Sequence, residues 1–245
     1  MTENFIRISE RPRARAGGVN RTQMSRRPIY SKRAAVIVAH PDDETIWAGG
    51  TVLIHPEWQW TVLALCRGAD SDRAPKFMQA LERIGASGKI GDLDDGPEQR
   101  PLPELDVQQT IMSLLPTTDY HLILTHGPWG EYTRHRRHEE TSQAVAALWS
   151  NGRIAASEMW MFAYEDGGKR YLPRPIKTAH RIVRLPDDIW QQKYRVITEV
   201  YGFRPGSFEA KIVSREETFW CFDSPGQLQK WLIMKGATNE NSCAL

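Results

Sequence analysis

The chain of 245 residues is long enough for one sizeable α/β domain, and its 40% hydrophobic and 25% charged residues are ordinary for a globular protein. No apolar run approaches the length of about 18 residues that a membrane helix needs, and the N-terminal sequence MTENFIRISE lacks the features of a signal peptide. The net charge of +2 is nearly balanced, and the three cysteines form neither a disulfide framework nor a CxxC pair. These features favour a cytoplasmic protein without a membrane span.

Basic residues are concentrated before the first predicted strand. The segment Arg7–Arg33 contains nine arginine or lysine residues and one acid, Glu10. Such an arm is able to bind nucleic acid or an anionic membrane, but it lacks interleaved aromatic residues and helical periodicity. We therefore interpret it as a solvated, poorly ordered tail and do not expect nucleic acid as a partner. The predicted organisation is an N-terminal arm over 1–30, a single domain over 31–235 and a loose tail over 236–245.

Buried strands alternate with amphipathic helices through the first part of the domain. Apolar runs predict strands at Ala34–His40, Trp60–Cys66, Ser87–Leu93 and Tyr120–Thr125. Helical spacing of apolar residues predicts helices over Glu44–Ile54, around Phe77–Ile84, around Val107–Leu115 and over Glu139–Ser150. This alternation predicts an α/β fold, a Rossmann-like parallel sheet flanked by helices, with right-handed crossovers.

The pattern loosens beyond about residue 150. A further strand is predicted at Ala155–Tyr164, and a helix over Pro186–Val200 begins with Pro-Asp-Asp. Ser224 is the predicted cap of a last helix, with Pro225 at its first position.

A histidine and three acids follow the first predicted strand, in the order His40, Pro41, Asp42, Asp43 and Glu44. In open α/β sheets, ligands bind at the carboxyl ends of the strands. His40 and Asp43, which are three residues apart around a tight turn, are able to face one metal ion while Asp42 points elsewhere. Imidazole and carboxylate are suitable zinc ligands, but a catalytic zinc normally takes three protein ligands and keeps one position for water. The chain must therefore supply a third ligand.

A second cluster follows the predicted strand Tyr120–Thr125. His135 and His138 have i, i+3 spacing, so on the opening turn of a helix they share a face, and one is able to bind metal while the other stays free beside it. A single histidine at a strand end is more often a hydrogen-bonded loop residue, and a run of acids is more often a solvated turn or a helix cap. The two clusters follow separate parallel strands, and together they meet the requirement of a catalytic zinc site.

The segments VIVAHPDDETIWAGG and GEYTRHRRHEE, about 80 residues apart, resemble the LmbE-like, or PIG-L, family of zinc-dependent N-deacetylases. The AHPDDE element is highly specific, and the second element matches the family form GEYGHPxH at Gly130–Tyr132, His135 and His138. The resemblance covers roughly Ala34–Ser150, with weaker similarity to Gly202. It implies one zinc ion per chain and hydrolysis of a linear amide C–N bond. The implied substrate is a small N-acylated amino sugar, such as an N-acetylglucosamine derivative, or another glycosylated small molecule.

The resemblance also implies roles for individual residues. His40, Asp43 and His138 correspond to the zinc ligands, and Asp42 corresponds to the general base. His135 corresponds to the histidine that steadies the oxyanion and protonates the leaving amine. The chemistry agrees, because zinc lowers the pKa of water from about 15.7 to about 7 and a nearby carboxylate then suffices as the base. We expect nearby carboxylates to raise the pKa of His135 against the effect of the surrounding arginines.

Substrate contacts are predicted at four further residues. Arg73 and Asp95 resemble family positions that hold sugar hydroxyls, although Arg73 is equally a candidate surface arginine and Asp95 a candidate turn residue. Trp47 and Trp129 are candidates for stacking on a sugar ring, or alternatively for simple packing. His126 lies near the predicted site, where a role in supporting a ligand is open, and it is left without an assignment.

The chain also departs from the family pattern. Arg134, Arg136 and Arg137 surround the site histidines, where they favour an anionic or phosphorylated substrate or, alternatively, form a solvated helix face. Lys193 matches a lysine of the family's C-terminal helix, whereas Gly202-Phe203 stands where Ser-Gln is common.

Two other functions are compatible with parts of the sequence. A phosphoesterase would usually need a second metal and more bridging carboxylates than the strand ends supply. A binding module without turnover would have no use for Asp42 and His135 on either side of a metal.

Overall fold

The computed structural model describes residues 32–133 and 135–242, with side chains to residue 235 in the last helix. A seven-stranded sheet with the order β3-β2-β1-β4-β5-β9-β8 forms its centre. The strands of this sheet are β1 (Arg33–Val38), β2 (Gln59–Cys66), β3 (Ser87–Leu93), β4 (Asp119–Thr125), β5 (Ala155–Phe162), β8 (Arg181–Arg184) and β9 (Glu216–Phe222). A separate short pair consists of β6 (Tyr164–Glu165) and β7 (Arg174–Pro175).

Seven α-helices connect and cover these strands in the part of the chain that the structure describes. They are α1 (Asp43–Leu53), α2 (Arg73–Ile84), α3 (Glu104–Leu114), α4 (Arg136–Ser150), α5 (Asp187–Arg195), α6 (Phe208–Ile212) and α7 (Pro225–Ser242). A π-helical turn, Val196–Val200, follows α5 directly.

The first five strands are parallel, which confirms the predicted α/β fold. Strand β1 is buried on both faces, as the apolar run in its sequence predicts. One face of the sheet packs against a core that includes Trp47 of α1 and Phe77 of α2. The other face packs against a core that includes Ile111 of α3 and Leu148 of α4. Because helices cover both faces of the sheet, a ligand-binding site is expected at the carboxyl ends of the strands.

The part after residue 150 differs from the sequence predictions. Strands β9 and β8 extend the sheet in antiparallel orientation, and neither was predicted. The predicted helix Pro186–Val200 is α5 followed by the π-helical turn, and α7 continues to Ser242, so the described part of the predicted loose tail is helical. The predicted arm over 1–30 lies outside the described residues. Within the described ranges, no helix is both long and apolar enough to cross a membrane.

A buried ion pair fixes the C-terminal half of α1 against β9 and α5. The ammonium of Lys193 lies 2.6 Å from Oε1 of Glu217, and both side chains are fully buried. The backbone N–H groups of Gly50 and Thr51 each donate to the Glu217 carboxylate over 2.7 Å. A Cβ atom at Gly50 would lie only 2.4 Å from the end of the Leu185 side chain, which would have to move to admit a larger residue. Lys193 thus stabilises the helix that begins at the site.

Candidate metal centre

The turn between β1 and α1 presents the first cluster. Asp42 has φ of 111°, a strained backbone conformation for a residue other than glycine. Its N–H donates to the carboxylate of Glu44 over 3.0 Å, and the hydroxyl of Tyr201 donates to the same carboxylate over 2.8 Å. Burial raises the pKa of Glu44. These contacts hold Asp42 in its strained conformation at the carboxyl end of β1, directly before Asp43.

Three side-chain atoms of His40, Asp43 and His138 form a nearly regular triangle. The distance from His40 Nδ1 to Asp43 Oδ2 is 3.1 Å, and His138 Nε2 lies 3.3 Å from each of these two atoms. Ligand atoms about 2.0–2.1 Å from a tetrahedral zinc ion are about 3.3 Å apart. The spacing and the donor types, two imidazoles and one carboxylate, therefore fit a zinc site with one position left open.

Each side chain of this triangle makes a further polar contact through the atom that does not belong to the triangle. Nε2 of His40 lies 3.3 Å from Oδ1 of Asp95, and Nδ1 of His138 lies 2.5 Å from Oε2 of Glu131. The indole N–H of Trp47 donates to Oδ1 of Asp43 over 3.0 Å. Carboxylates on the second nitrogen of metal-binding histidines fix the tautomer that leaves the first nitrogen free for the metal. Sequence reasoning assigned no such role to Glu131, although an acid in the loop before a candidate ligand was the available signal.

His126 belongs to an alternative ligand group with Asp43 and His138, and His135 belongs to another with His40 and His138. In each group all ligand atoms lie within 4.8 Å of one another. Nε2 of His126, however, accepts a hydrogen bond from the N–H of Ala39 over 3.0 Å. Its lone pair is thus already occupied. The other nitrogen, Nδ1, lies 2.9 Å from Glu131. His126 is therefore better placed to support the metal centre than to bind the metal. The two alternative ligand groups share His138.

Asp42 lies on the wall of a cavity of about 240 Å³ beside these residues. Burial and the neighbouring Asp43 carboxylate raise the pKa of Asp42 to about 8, while the positive charge of Arg73 acts in the opposite direction. Nη1 of Arg73 donates to Oδ2 of Asp42 over 3.0 Å. The carboxyl group is therefore paired with the guanidinium of Arg73 and faces the cavity.

His135 lies at the start of α4 with its ring 4.8 Å from that of His40 and 4.2 Å from that of His138. Burial lowers the pKa of His135 to about 3, and the neighbouring histidines act in the same direction. The expectation that carboxylates raise this pKa was wrong, because burial and the neighbouring His138 and His40 outweigh the opposite effect of the Asp43 carboxylate. Nδ1 of His135 is buried without a hydrogen-bond partner among the described residues. His135 itself lines the cavity beside Asp42.

Three of the four predicted substrate contacts, Arg73, Asp95 and Trp47, line one cavity, and Trp129 does not. Arg73 and Asp95 line the same cavity as Asp42, but Asp95 is bonded to His40 and to Arg67. Trp47 is fully buried, so its ring has no exposed face on which a sugar could stack. Trp129 is 39% exposed and lines a second cavity, of about 490 Å³, on the other side of the Glu131–Thr133 loop. The structure thus leaves Arg73 as the predicted contact with an accessible position beside the base.

The fold and the site define an α/β protein with a candidate metal centre at the carboxyl ends of parallel strands. Residues 35–149, which include every residue of the triangle, match the model of the family described as PIG-L: GlcNAc-PI de-N-acetylase. Over these residues the chain therefore resembles the PIG-L, or LmbE-like, family. It is also 21% identical to the uncharacterized protein L374 of Acanthamoeba polyphaga mimivirus over 199 residues, which are 70% of this chain and 84% of that protein.

Solved structures share the fold at low sequence identity. The N,N'-diacetylchitobiose deacetylase of Pyrococcus horikoshii is 15% identical with a TM-score of 0.60, covering 80% of this chain and 86% of that one. The zinc-inhibited form of the teicoplanin deacetylase Orf2 is 15% identical with a TM-score of 0.59, covering 78% and 98%. The 4-carboxy-2-hydroxymuconate hydratase GalB of Pseudomonas putida is 16% identical with a TM-score of 0.51, covering 78% and 95%. Since one of these folds carries a hydratase, function must be argued from the site.

Proposed function

We propose that this protein is a zinc-dependent hydrolase that removes an N-acyl group, in the first place N-acetyl, from an amino sugar or a glycosylated small molecule. The observation that carries the proposal is the triangle of His40, Asp43 and His138, with edges of 3.1, 3.3 and 3.3 Å, next to the carboxyl group of Asp42. One zinc ion bound by these three residues would polarise the amide carbonyl and lower the pKa of water to about 7.

Asp42 and His135 carry out the remaining steps of the proposed reaction. Asp42 takes a proton from the attacking water while the oxygen of that water forms a bond to the carbonyl carbon. His135 offers an N–H group to the carbonyl oxygen, on which negative charge develops. The C–N bond then breaks, and the amine leaves with a proton. The products are a carboxylate and a free amino group, without a covalent intermediate on the protein.

The low pKa of His135 changes one assignment made from the resemblance. A histidine that is neutral at neutral pH has no additional proton to give to the leaving amine. In our proposal, the carboxyl group of Asp42 returns the proton that it took from water, and His135 acts as a neutral hydrogen-bond donor. Its hydrogen-bonding nitrogen is Nδ1, which has no protein partner among the described residues.

The alternatives receive less support. A phosphoesterase would usually hold two metals about 3.5–4 Å apart between bridging carboxylates, whereas the two candidate groups within the described ranges share His138. A binding module would have no need of the strained Asp42 beside the ligands. The description of the matched family and the chitobiose deacetylase support an acetylated glucosamine derivative as the substrate. We also propose a cytoplasmic location, which the free Cys66 and Cys221 support.

A screen of N-acetylated sugars for acetate release tests this function. The panel should contain N-acetylglucosamine, its glycosides, a chitobiose derivative and a sugar nucleotide, each with zinc-loaded and chelated protein. We expect acetate release from at least one class, its loss on chelation and its return with zinc. Zinc-independent hydrolysis, or release of phosphate in place of acetate, would contradict the proposal.

Replacement of Arg73 by glutamine is expected to move the acid limb of the kcat/KM profile to higher pH. Arg73 lowers the pKa of Asp42, so without this cation the carboxyl group keeps its proton to higher pH and the base becomes active later. A shift of about 1 pH unit is the lower end of the effect of a contact between aspartate and arginine. Lys76 lies on the same helix but pairs with Asp72. Lys76→Gln therefore removes a cation that does not contact Asp42, and should leave the acid limb of the kcat/KM profile in place. An unmoved limb in Arg73→Gln would show that Asp42 is not the titrating base.

A further inference from the structure

Arg137 takes neither of the positions that its sequence context predicts. It neither forms part of a solvated helix face nor lines the cavity beside Asp42, because its side chain is only 1% exposed and lies under another loop. Its neighbour Arg136 is exposed.

The guanidinium of Arg137 holds the loop that follows β3. Nε donates to the carbonyl oxygen of Asp94 over 2.6 Å, and Nη2 donates to the carbonyl oxygen of Arg100 over 2.9 Å. Nη1 donates to Glu140, one turn further along α4, and the other oxygen of Glu140 accepts from the N–H of Leu102. Two side chains of α4 therefore bind the loop at three backbone positions. A planar guanidinium is suited to this arrangement because its donors have a fixed geometry.

The loop carries Asp95, and Asp95 contacts a candidate zinc ligand. Oδ1 of Asp95 lies 3.3 Å from Nε2 of His40 and accepts from the side-chain amide of Gln99 over 2.8 Å. Its other oxygen accepts from Arg67. Asp95 is the residue next to Asp94, whose carbonyl oxygen is bonded to Arg137, so a movement of this backbone moves the carboxylate away from His40.

We propose that Arg137 is a positioning residue for the metal centre, which acts through the 94–102 loop and Asp95 on the ring of His40. The proposal rests on the zinc site of the proposed function. Helix α4 then contributes to metal binding twice, directly through His138 and indirectly through the adjacent Arg137. An arginine at this position stabilises the ligand set and does not select an anionic substrate.

The expected effect is a loss of zinc affinity. Removal of an outer partner of a metal ligand typically lowers metal affinity by about 10–100-fold. Asp95→Asn should show a loss in this range, because an amide oxygen is a weaker acceptor for the N–H of His40 than a carboxylate. Arg137→Met keeps the length of the side chain and removes its donors, and should lower zinc affinity about 10-fold. Arg137→Lys keeps the positive charge but lacks the planar set of guanidinium donors. Its zinc affinity should lie between those of Arg137→Met and the wild type.

A double-mutant cycle on zinc affinity tests this pathway. Zinc dissociation constants are measured by competition with a chromophoric chelator for the wild type, Arg137→Met, Asp95→Asn and the double variant. Thermal melting of the metal-free proteins identifies the temperature at which all are folded, and Arg136→Gln is the control. If Arg137 acts through Asp95, Arg137→Met weakens zinc binding about 10-fold in the wild type and less than 2-fold in the Asp95→Asn background.

Other outcomes of the zinc measurements overturn the proposal. Equal losses in both backgrounds, or unchanged affinity in Arg137→Met with a lowered melting temperature, would show that Arg137 only stabilises the fold. The same loss in Arg136→Gln would show a general effect of charge. If the wild type binds no zinc at all, the metal centre of the proposed function fails together with this inference. Zinc binding without deacetylase activity would contradict the proposed reaction and leave the cycle fully informative.

Discussion

Replacement of Asp42 by asparagine is expected to lower kcat for deacetylation by about 10²–10⁴-fold while the protein keeps its zinc. The amide cannot take a proton from water, but His40, Asp43 and His138 are unchanged. Asparagine is also the mildest replacement for the backbone, because after glycine it is among the residues that best tolerate the positive φ of 111° at this position. The measurement is kcat with zinc content determined on the same sample.

Three further observations make this experiment decisive. Asp42→Ala removes the base as well, but adds strain at the turn, so a lower melting temperature than that of Asp42→Asn would separate backbone effects from loss of the base. Full activity of Asp42→Asn with stoichiometric zinc would remove Asp42 from the mechanism. Loss of zinc from this variant would instead indicate that Asp42 belongs to the ligand set.

The second large effect concerns stability. Lys193→Met is expected to lower the free energy of unfolding by about 3–5 kcal/mol, because it leaves the buried carboxylate of Glu217 without its cation. Methionine keeps most of the apolar volume of the lysine side chain. Urea unfolding of both proteins measures the change, and equal m-values would show that the unfolded states are comparable.

The matched control is the double variant Lys193→Met with Glu217→Gln. The single amide oxygen still accepts from one of the N–H groups of Gly50 and Thr51, while the other loses its acceptor. No uncompensated charge remains, so the double variant should be more stable than Lys193→Met alone. A single variant within about 1 kcal/mol of the wild type would contradict a structural role for the ion pair.

The sequence predicted those parts of the fold in which one local pattern dominates. The runs that became β1 and β4 are buried on both faces, so their apolar composition alone indicates strands of a parallel sheet. The antiparallel β9 was missed because its sequence, Glu216–Phe222, includes the buried Glu217, whose burial depends on a lysine 24 residues away. Such long-range pairs have no local signature.

The same distinction applies to the site. Three-residue spacing predicted two pairs of neighbouring side chains, His40 with Asp43 and His135 with His138. The structure confirms that each pair is close in space, because both members of a pair lie on one turn. The supporting contacts of Asp95 and Arg137 join separate loops and helices, so the sequence left both as candidates for substrate binding. The pKa of His135 was misjudged for a related reason, since it depends on burial and on His138 and His40, which the fold brings beside it.

The position of the metal tests the central claim most directly. Crystals of the zinc-loaded protein should be measured on both sides of the zinc absorption edge, and the anomalous difference map locates the ion independently of any assumption about its ligands. We predict one peak per chain, about 2.0–2.2 Å from Nδ1 of His40, Oδ2 of Asp43 and Nε2 of His138, with His126 outside this distance. A peak coordinated by His126, or stoichiometric zinc with no peak between these three residues, would contradict the account.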